Sequence, residues 1–125
     1  ASLEPEVVKL VRQIAEALIH REVQTDPELI HRTVRKALSA ILDRERLVVR
    51  VNPVDLEALR SNKVALLDEF DGVEVLDVEA DPSIAPGGCV VDSELMHVDA
   101  RIKTQLKRVL AALADPSAEI GAGEA

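Results

Sequence analysis

Aromatic residues are almost absent from this chain of 125 residues: Phe70 is the only one, and there is no Trp or Tyr. Its core must be built from aliphatic side chains, and it lacks the stacking platforms of single-stranded nucleic-acid modules. Positive charge is also scarce. Fifteen Lys and Arg stand against 23 Asp and Glu, giving a net charge of −8. Binding a phosphate backbone needs clustered cations, so no nucleic-acid partner is expected. One cysteine, Cys89, excludes a disulfide framework and suits a reducing cytoplasm. No apolar run approaches the roughly 20 residues that cross a bilayer, so no direct membrane insertion is expected. There is no signal-peptide pattern either. The chain starts at Ala1 rather than Met, which reads as an excised fragment, with processing of a native start as the bland alternative.

What is present is aliphatic periodicity. Val7, Val11, Ile14 and Leu18 recur at helical spacing, widened by Val8, Ala15 and Ile19. Thr25-Asp26-Pro27-Glu28 starts a second helix, with Asp26 as cap and Pro27 in the first position. Ile30, Val34, Leu38 and Ile41 form its stripe, and the short link predicts an antiparallel hairpin. Leu47, Val49 and Val51 alternate as a half-buried strand. Asn52-Pro53 opens a third helix through Leu56, Leu59, Leu66, Leu67 and Phe70, ended by Asp71-Gly72. From Val73 to Glu79 the pattern is strand, but Leu76 and Val78 fall on the opposite phase from Val73 and Val75. Either both faces are partly covered or a bulge shifts the phase. Cys89 to Glu94 is a third strand, and Val98 adds a short fourth. Asp99 caps a last helix marked by Ile102, Leu106, Val109, Leu110 and Leu113.

The predicted class is α+β in the order α-α-β-α-β-β-α. A helical hairpin precedes a small mixed sheet of three to four strands. The β-α-β unit pairs in parallel and the last hairpin is antiparallel. The expected sheet core is Leu47, Val49, Val51, Val73, Val75, Cys89 and Val91, packed on Ile102, Leu106 and Val109. Charge is uneven. Residues 68–81 hold seven acids and no Lys or Arg, while the last helix carries Arg101, Lys103, Lys107 and Arg108 with no acid after its cap. Solvated surface charge is the plain reading, and steering of a partner is the functional one.

Candidate chemistry is thin. His20, His31 and His97 are scattered and lack zinc-ligand spacing, so each reads as a surface or half-buried histidine. Asp92 and Glu94 read as a carboxylate pair or as a solvent-facing edge. Gly87-Gly88 lacks the spacing and the Lys-Ser/Thr ending of a phosphate loop. Cys89 lacks the cationic neighbour a catalytic thiol needs. No cofactor or metal is expected.

One segment is more specific. It contains Asp81-Pro82-Ser83, Gly87-Gly88-Cys89, Val98-Asp99-Ala100 and Gln105-Leu106, in that order. A further piece is Val49-Arg50-Val51-Asn52-Pro53-Val54-Asp55-Leu56. Together these closely resemble the signature of the FliH family and its SctL/YscL counterparts, the stator-like regulators of type III secretion ATPases. Family members often have His where this chain has Asn52, and a small turn residue near Met96. The resemblance implies a C-terminal domain similar to the peripheral-stalk E subunit of V-type ATPases.

It further implies a domain plan. Residues 1–44 would be a helical hairpin continuing from an upstream coiled-coil stalk that is not in this sequence. Residues 45–114 would be the globular sheet domain, and 115–125 a flexible tail. The implied function is non-enzymatic. The chain would bind the N-terminal region of the secretion ATPase, tether it to the export apparatus and modulate its activity. The stalk would dimerise, and an upstream region would contact sorting-platform or C-ring proteins. The location would be cytoplasmic, at the inner-membrane export machinery. The family-motif residues Asp81, Pro82, Gly87, Gly88, Cys89, Val98, Asp99, Ala100 and Gln105 are read as structural. Leu95 and Met96, with Arg101, Lys103, Lys107 and Arg108 as a basic rim, are read as the partner surface. The alternative is a small α/β enzyme or ligand-binding domain with Cys89, His97 and Asp99 as its site. It requires a cavity uniting Cys89 and His97, whereas a stator domain requires an exposed apolar patch.

Overall fold

The computed structural model describes residues 4–114; the tail expected at 115–125 lies outside the described residues. The elements run α1 (Pro5–Thr25), α2 (Leu29–Ser39), β1 (Arg46–Val51), α3 (Pro53–Ser61), α4 (Lys63–Glu69), β2 (Val75–Ala80), β3 (Cys89–Asp92), β4 (His97–Ala100) and α5 (Ile102–Ala114). The α+β class and the order follow the sequence reading. The expected third helix is two, with Asn62 closing α3 and opening α4. Two compact units emerge, Asp26–Ile102 and a helical unit of α1 with α5 from Lys103 onward.

The first unit holds a four-stranded sheet in the order β2-β1-β3-β4. β1 is parallel to β2 and antiparallel to β3, and β3 is antiparallel to β4. Register sets Leu47 opposite Leu76, and Val49 opposite both Val78 and Val91. Paired residues share a face, so one face of the sheet is apolar throughout. α2 packs on β3 and β4, and α3 packs on β2. Ile30, Val34, Ala37, Leu38, Ile41, Leu59 and Leu66 bury themselves against that face. Phe70 joins the same core, and the Arg44 guanidinium lies 5.2 Å from its ring centre.

β2 needs no bulge, because its pairing with β1 is continuous. Leu76 and Val78 take the core phase. Val75, expected inside, pairs with Arg46 on the other face and is 41% exposed. Val73 packs against the core from the loop before the strand. The helix starts also differ in detail. Asn52 caps α3 as read, accepting from the Val54 N–H at 2.9 Å, and its amide donates to the Ile84 carbonyl at 2.8 Å. Asp26 accepts from the Glu28 N–H and pairs with Arg32, but regular helix begins only at Leu29. Asp99 lies within β4 and accepts from the Arg101 N–H, one residue ahead of α5.

In the helical unit, α1 has no buried residue. Val8, Val11, Ala15, Ile19 and Val23 are half-buried. Val7, Leu10, Ile14 and Leu18 are 41%, 55%, 53% and 62% exposed, so most of the primary stripe read from the sequence is open. α5 buries Leu110. Leu106 and Val109 of α5 are half-buried. The aliphatic face of the sheet is already occupied by α2 and α3.

Candidate functional site

The Gly-Gly-Cys segment is a junction of hydrogen bonds. The Asp81 carboxylate accepts from the Ser83 hydroxyl at 2.6 Å and the Ser83 N–H at 2.9 Å. The Ser83 hydroxyl is the main cause holding Asp81 below the usual carboxylate range. The Asp81 N–H donates to the Val51 carbonyl at 2.7 Å, which ties the loop to the end of β1. Gly87 has φ of +89°, a conformation that favours glycine. Its N–H donates to Asp55 at 2.9 Å, and its carbonyl accepts from the Thr33 hydroxyl at 2.9 Å. α2 and α3 thus grip one residue from two sides. At Gly88 a Cβ would lie 3.0 Å from Arg101 Cα and from Ile102 N, so the backbone passes directly against the start of α5.

Cys89 is fully buried in the core face. Burial, and secondarily the Asp99 carboxylate, push its thiol up to about 12. Such a thiol is neutral at physiological pH and a poor nucleophile. Strand alternation places Asp92, His97 and Asp99 on the opposite face from Cys89. The trio Cys89, His97 and Asp99 therefore does not converge. Asp92 is shared between His97 and Arg50, the latter at 2.6 Å, and lies below the usual carboxylate range because of His97 first. Both carboxylate oxygens of Asp99 accept from one edge of the Arg101 guanidinium, from Nε at 3.0 Å and Nη2 at 2.8 Å. Glu94 lies beyond the end of β3 and is exposed, so Asp92 and Glu94 are not a strand-face pair. His20 is exposed beside Gln24. His31, expected at the surface or half-buried, is buried at 7% exposure, with Nδ1 3.3 Å from the Asn62 amide. Among the described residues, no three His, Cys, Asp or Glu side chains come together as a metal site requires.

A different feature stands out at one end of the sheet unit. There the α2–β1 connection meets the β3–β4 turn. The Asp43 carboxylate accepts from the Ser93 hydroxyl at 2.6 Å and the Leu95 N–H at 2.9 Å. Ser93 is the main cause holding Asp43 below its ordinary range. The Ser93 hydroxyl in turn accepts from the Met96 N–H at 2.9 Å, and the Leu42 N–H lies 3.5 Å from the Met96 sulfur. This latch leaves Leu42 87% and Leu95 86% exposed. Met96 is half-buried against the core, so Leu95 and Met96 differ in role. The sequence reading missed Leu42, Asp43 and Ser93. The available signal was Leu42 itself, a leucine just past the last stripe residue, Ile41.

The remaining members of the expected partner surface divide between the units. Arg101 belongs to the sheet unit and is occupied by Asp99. Lys103, Lys107 and Arg108 belong to the helical unit and are exposed. Val98 and Ala100 pack against the sheet core, and Gln105 lies half-buried on α5.

By fold and site, then, this is a small α+β sheet domain that ties its polar side chains into pairs and holds two leucines outward. Comparison with known proteins gives the family. The model described as "Flagellar assembly protein FliH" matches residues 1–109, and the chain belongs to this family. It is 33% identical over 104 residues to a flagellar assembly protein FliH of Borreliella burgdorferi, covering 83% of this chain and 34% of that protein. It is 32% identical over 80 residues to a type 3 secretion system stator protein of Yersinia pestis, covering 64% of this chain and 36% of the relative. With a stator protein of Yersinia enterocolitica the identity is 29% over 96 residues, covering 74% and 43%. The chain thus spans between a third and a half of the length of these relatives.

Proposed function

We propose that this chain is the partner-binding domain of a stator-type regulator in a type III secretion system, flagellar or injectisome. In this reading it binds the N-terminal region of the export ATPase, tethers it to the export apparatus and modulates its turnover. The observation that carries the reading is the latched pair Leu42 and Leu95, offered outward by a member of the FliH family. The latch holds the backbone at both leucines, so docking need order only their side chains. They supply the apolar centre that an interface needs, with Glu94 and His97 as exposed polar neighbours in the chain. Modulation follows if the domain binds one state of the ATPase more tightly than another. No hydrolytic residue is contributed.

The open stripe Val7, Leu10, Ile14 and Leu18 supports a helix that continues into a dimerising stalk. Contacts with sorting-platform or C-ring proteins belong, in this reading, to segments outside these 125 residues. A peripheral position at the cytoplasmic face of the inner membrane goes with the same role. No helix among the described residues is long and apolar enough to cross a membrane. The test is co-purification with the cognate ATPase, with and without its N-terminal segment. Retention of the intact ATPase and loss of the truncated form support the reading. Equal retention of both, or of neither, overturns it.

A further inference from the structure

The helical unit carries a groove of its own. Arg12 and Glu16 of α1, with Lys103, Leu106, Lys107 and Leu110 of α5, enclose about 260 Å³. Its cations stand where helix physics disfavours them. Lys103 lies in the first turn of α5, at the positive end of the helix dipole. Lys103 and Lys107 are like charges at i, i+4, which repel. Among the described residues neither lysine, nor Arg12, has an ion-pair partner. α5 contains no acid at all, in a chain whose net charge is −8.

We infer that this groove receives an acidic amphipathic helix from another protein chain. Leu106 and Leu110 form a floor one helical turn apart, which matches apolar residues at i, i+4 of a docked helix. The space admits side chains but not a whole peptide, so the ligand backbone lies along the groove. Three cations on the rim pair with acids flanking the ligand's apolar stripe, and unpaired lysines gain the partners they lack. The apolar floor and the Glu16 carboxylate weigh against a bare polyanion. The inference does not rest on the ATPase reading.

The test is fluorescence anisotropy with the 125-residue chain and a labelled helical peptide of about 14 residues. The peptide carries Leu at i, i+4 flanked by Glu, and a second carries Lys in place of Glu. Saturable binding of the Glu peptide is expected, weakened roughly tenfold between about 50 and about 300 mM salt. Lys103→Glu with Lys107→Glu should lose the Glu peptide and gain the Lys peptide, with an unchanged circular dichroism spectrum and melting curve. Arg12→Glu alone should weaken the Glu peptide in the same direction. Gain of the Lys peptide separates charge recognition from misfolding. The inference is overturned if the unaltered chain binds both peptides equally, or neither. It is also overturned if polyglutamate or anionic vesicles bind as well as the amphipathic peptide, or if the charge reversals change nothing.

Discussion

At the scale of single residues, the Gly-Gly-Cys segment shows how a motif can be required for backbone reasons alone. A Cβ at Gly88 would meet backbone atoms of Arg101 and Ile102, which cannot rotate away. Gly88→Ala should therefore destabilise the domain by roughly 1–3 kcal/mol, read as a shift of the denaturation midpoint. A midpoint unchanged within error would mean that the two backbones are not in contact. Cys89 is a core residue with a thiol raised to about 12. It should resist a thiol reagent in the native state and react only on unfolding, and rapid native labelling would contradict its burial. Asp92 makes a pH prediction. His97 and then Arg50 hold it below its ordinary value. A group depressed on folding stabilises above its unfolded value, and that stabilisation is lost as pH falls through the folded value. The chain should lose stability below about pH 4, and Asp92→Asn should flatten that acid limb of the urea midpoint against pH. An unaltered limb would show that the Arg50–Asp92–His97 pairing contributes nothing.

At the scale of elements, much was legible because most strands have one aliphatic face. Leu47, Val49 and Val51 alternate cleanly and are buried as read. Asn52-Pro53 marked the start of α3 because a side-chain cap and a fixed φ are local facts. The conflict in β2 was visible in the sequence but its resolution was not, because phase is fixed by pairing with β1 rather than by β2 itself. The break at Asn62 was hidden, since the leucines on both sides keep helical spacing across it. Periodicity on α5 likewise shows that a face is apolar, not which partner covers it. Leu38 on α2 is 1% exposed in the sheet core, whereas Leu106 on α5 is only half-buried. Leu38→Ala should cost about 2–5 kcal/mol by chemical denaturation, and Leu106→Ala distinctly less. Equal losses would contradict this difference in burial.

At the scale of the whole molecule, the candidate site was legible only in part. Leu95 is legible because it stands between β3 and β4, at a reversal where polar residues are ordinary. Its companions Leu42, Asp43 and Ser93 come together only through the fold, since Asp43 and Ser93 are 50 residues apart. The Cys89, His97 and Asp99 alternative looked compact in sequence and is divided by the sheet. What the fold assembles is an exposed apolar pair on a sheet domain of the FliH family, and its function is proposed to lie in gripping the secretion ATPase. The most direct measurement is the affinity of the cognate ATPase for the chain carrying Leu42→Asp and Leu95→Asp, by titration calorimetry beside a thermal melt. Both side chains are more than four-fifths exposed, so the melt should stay near that of the unaltered chain. Affinity should fall at least tenfold, as expected when an interface loses its apolar centre. Unchanged affinity with an unchanged melt would contradict the assignment of this surface.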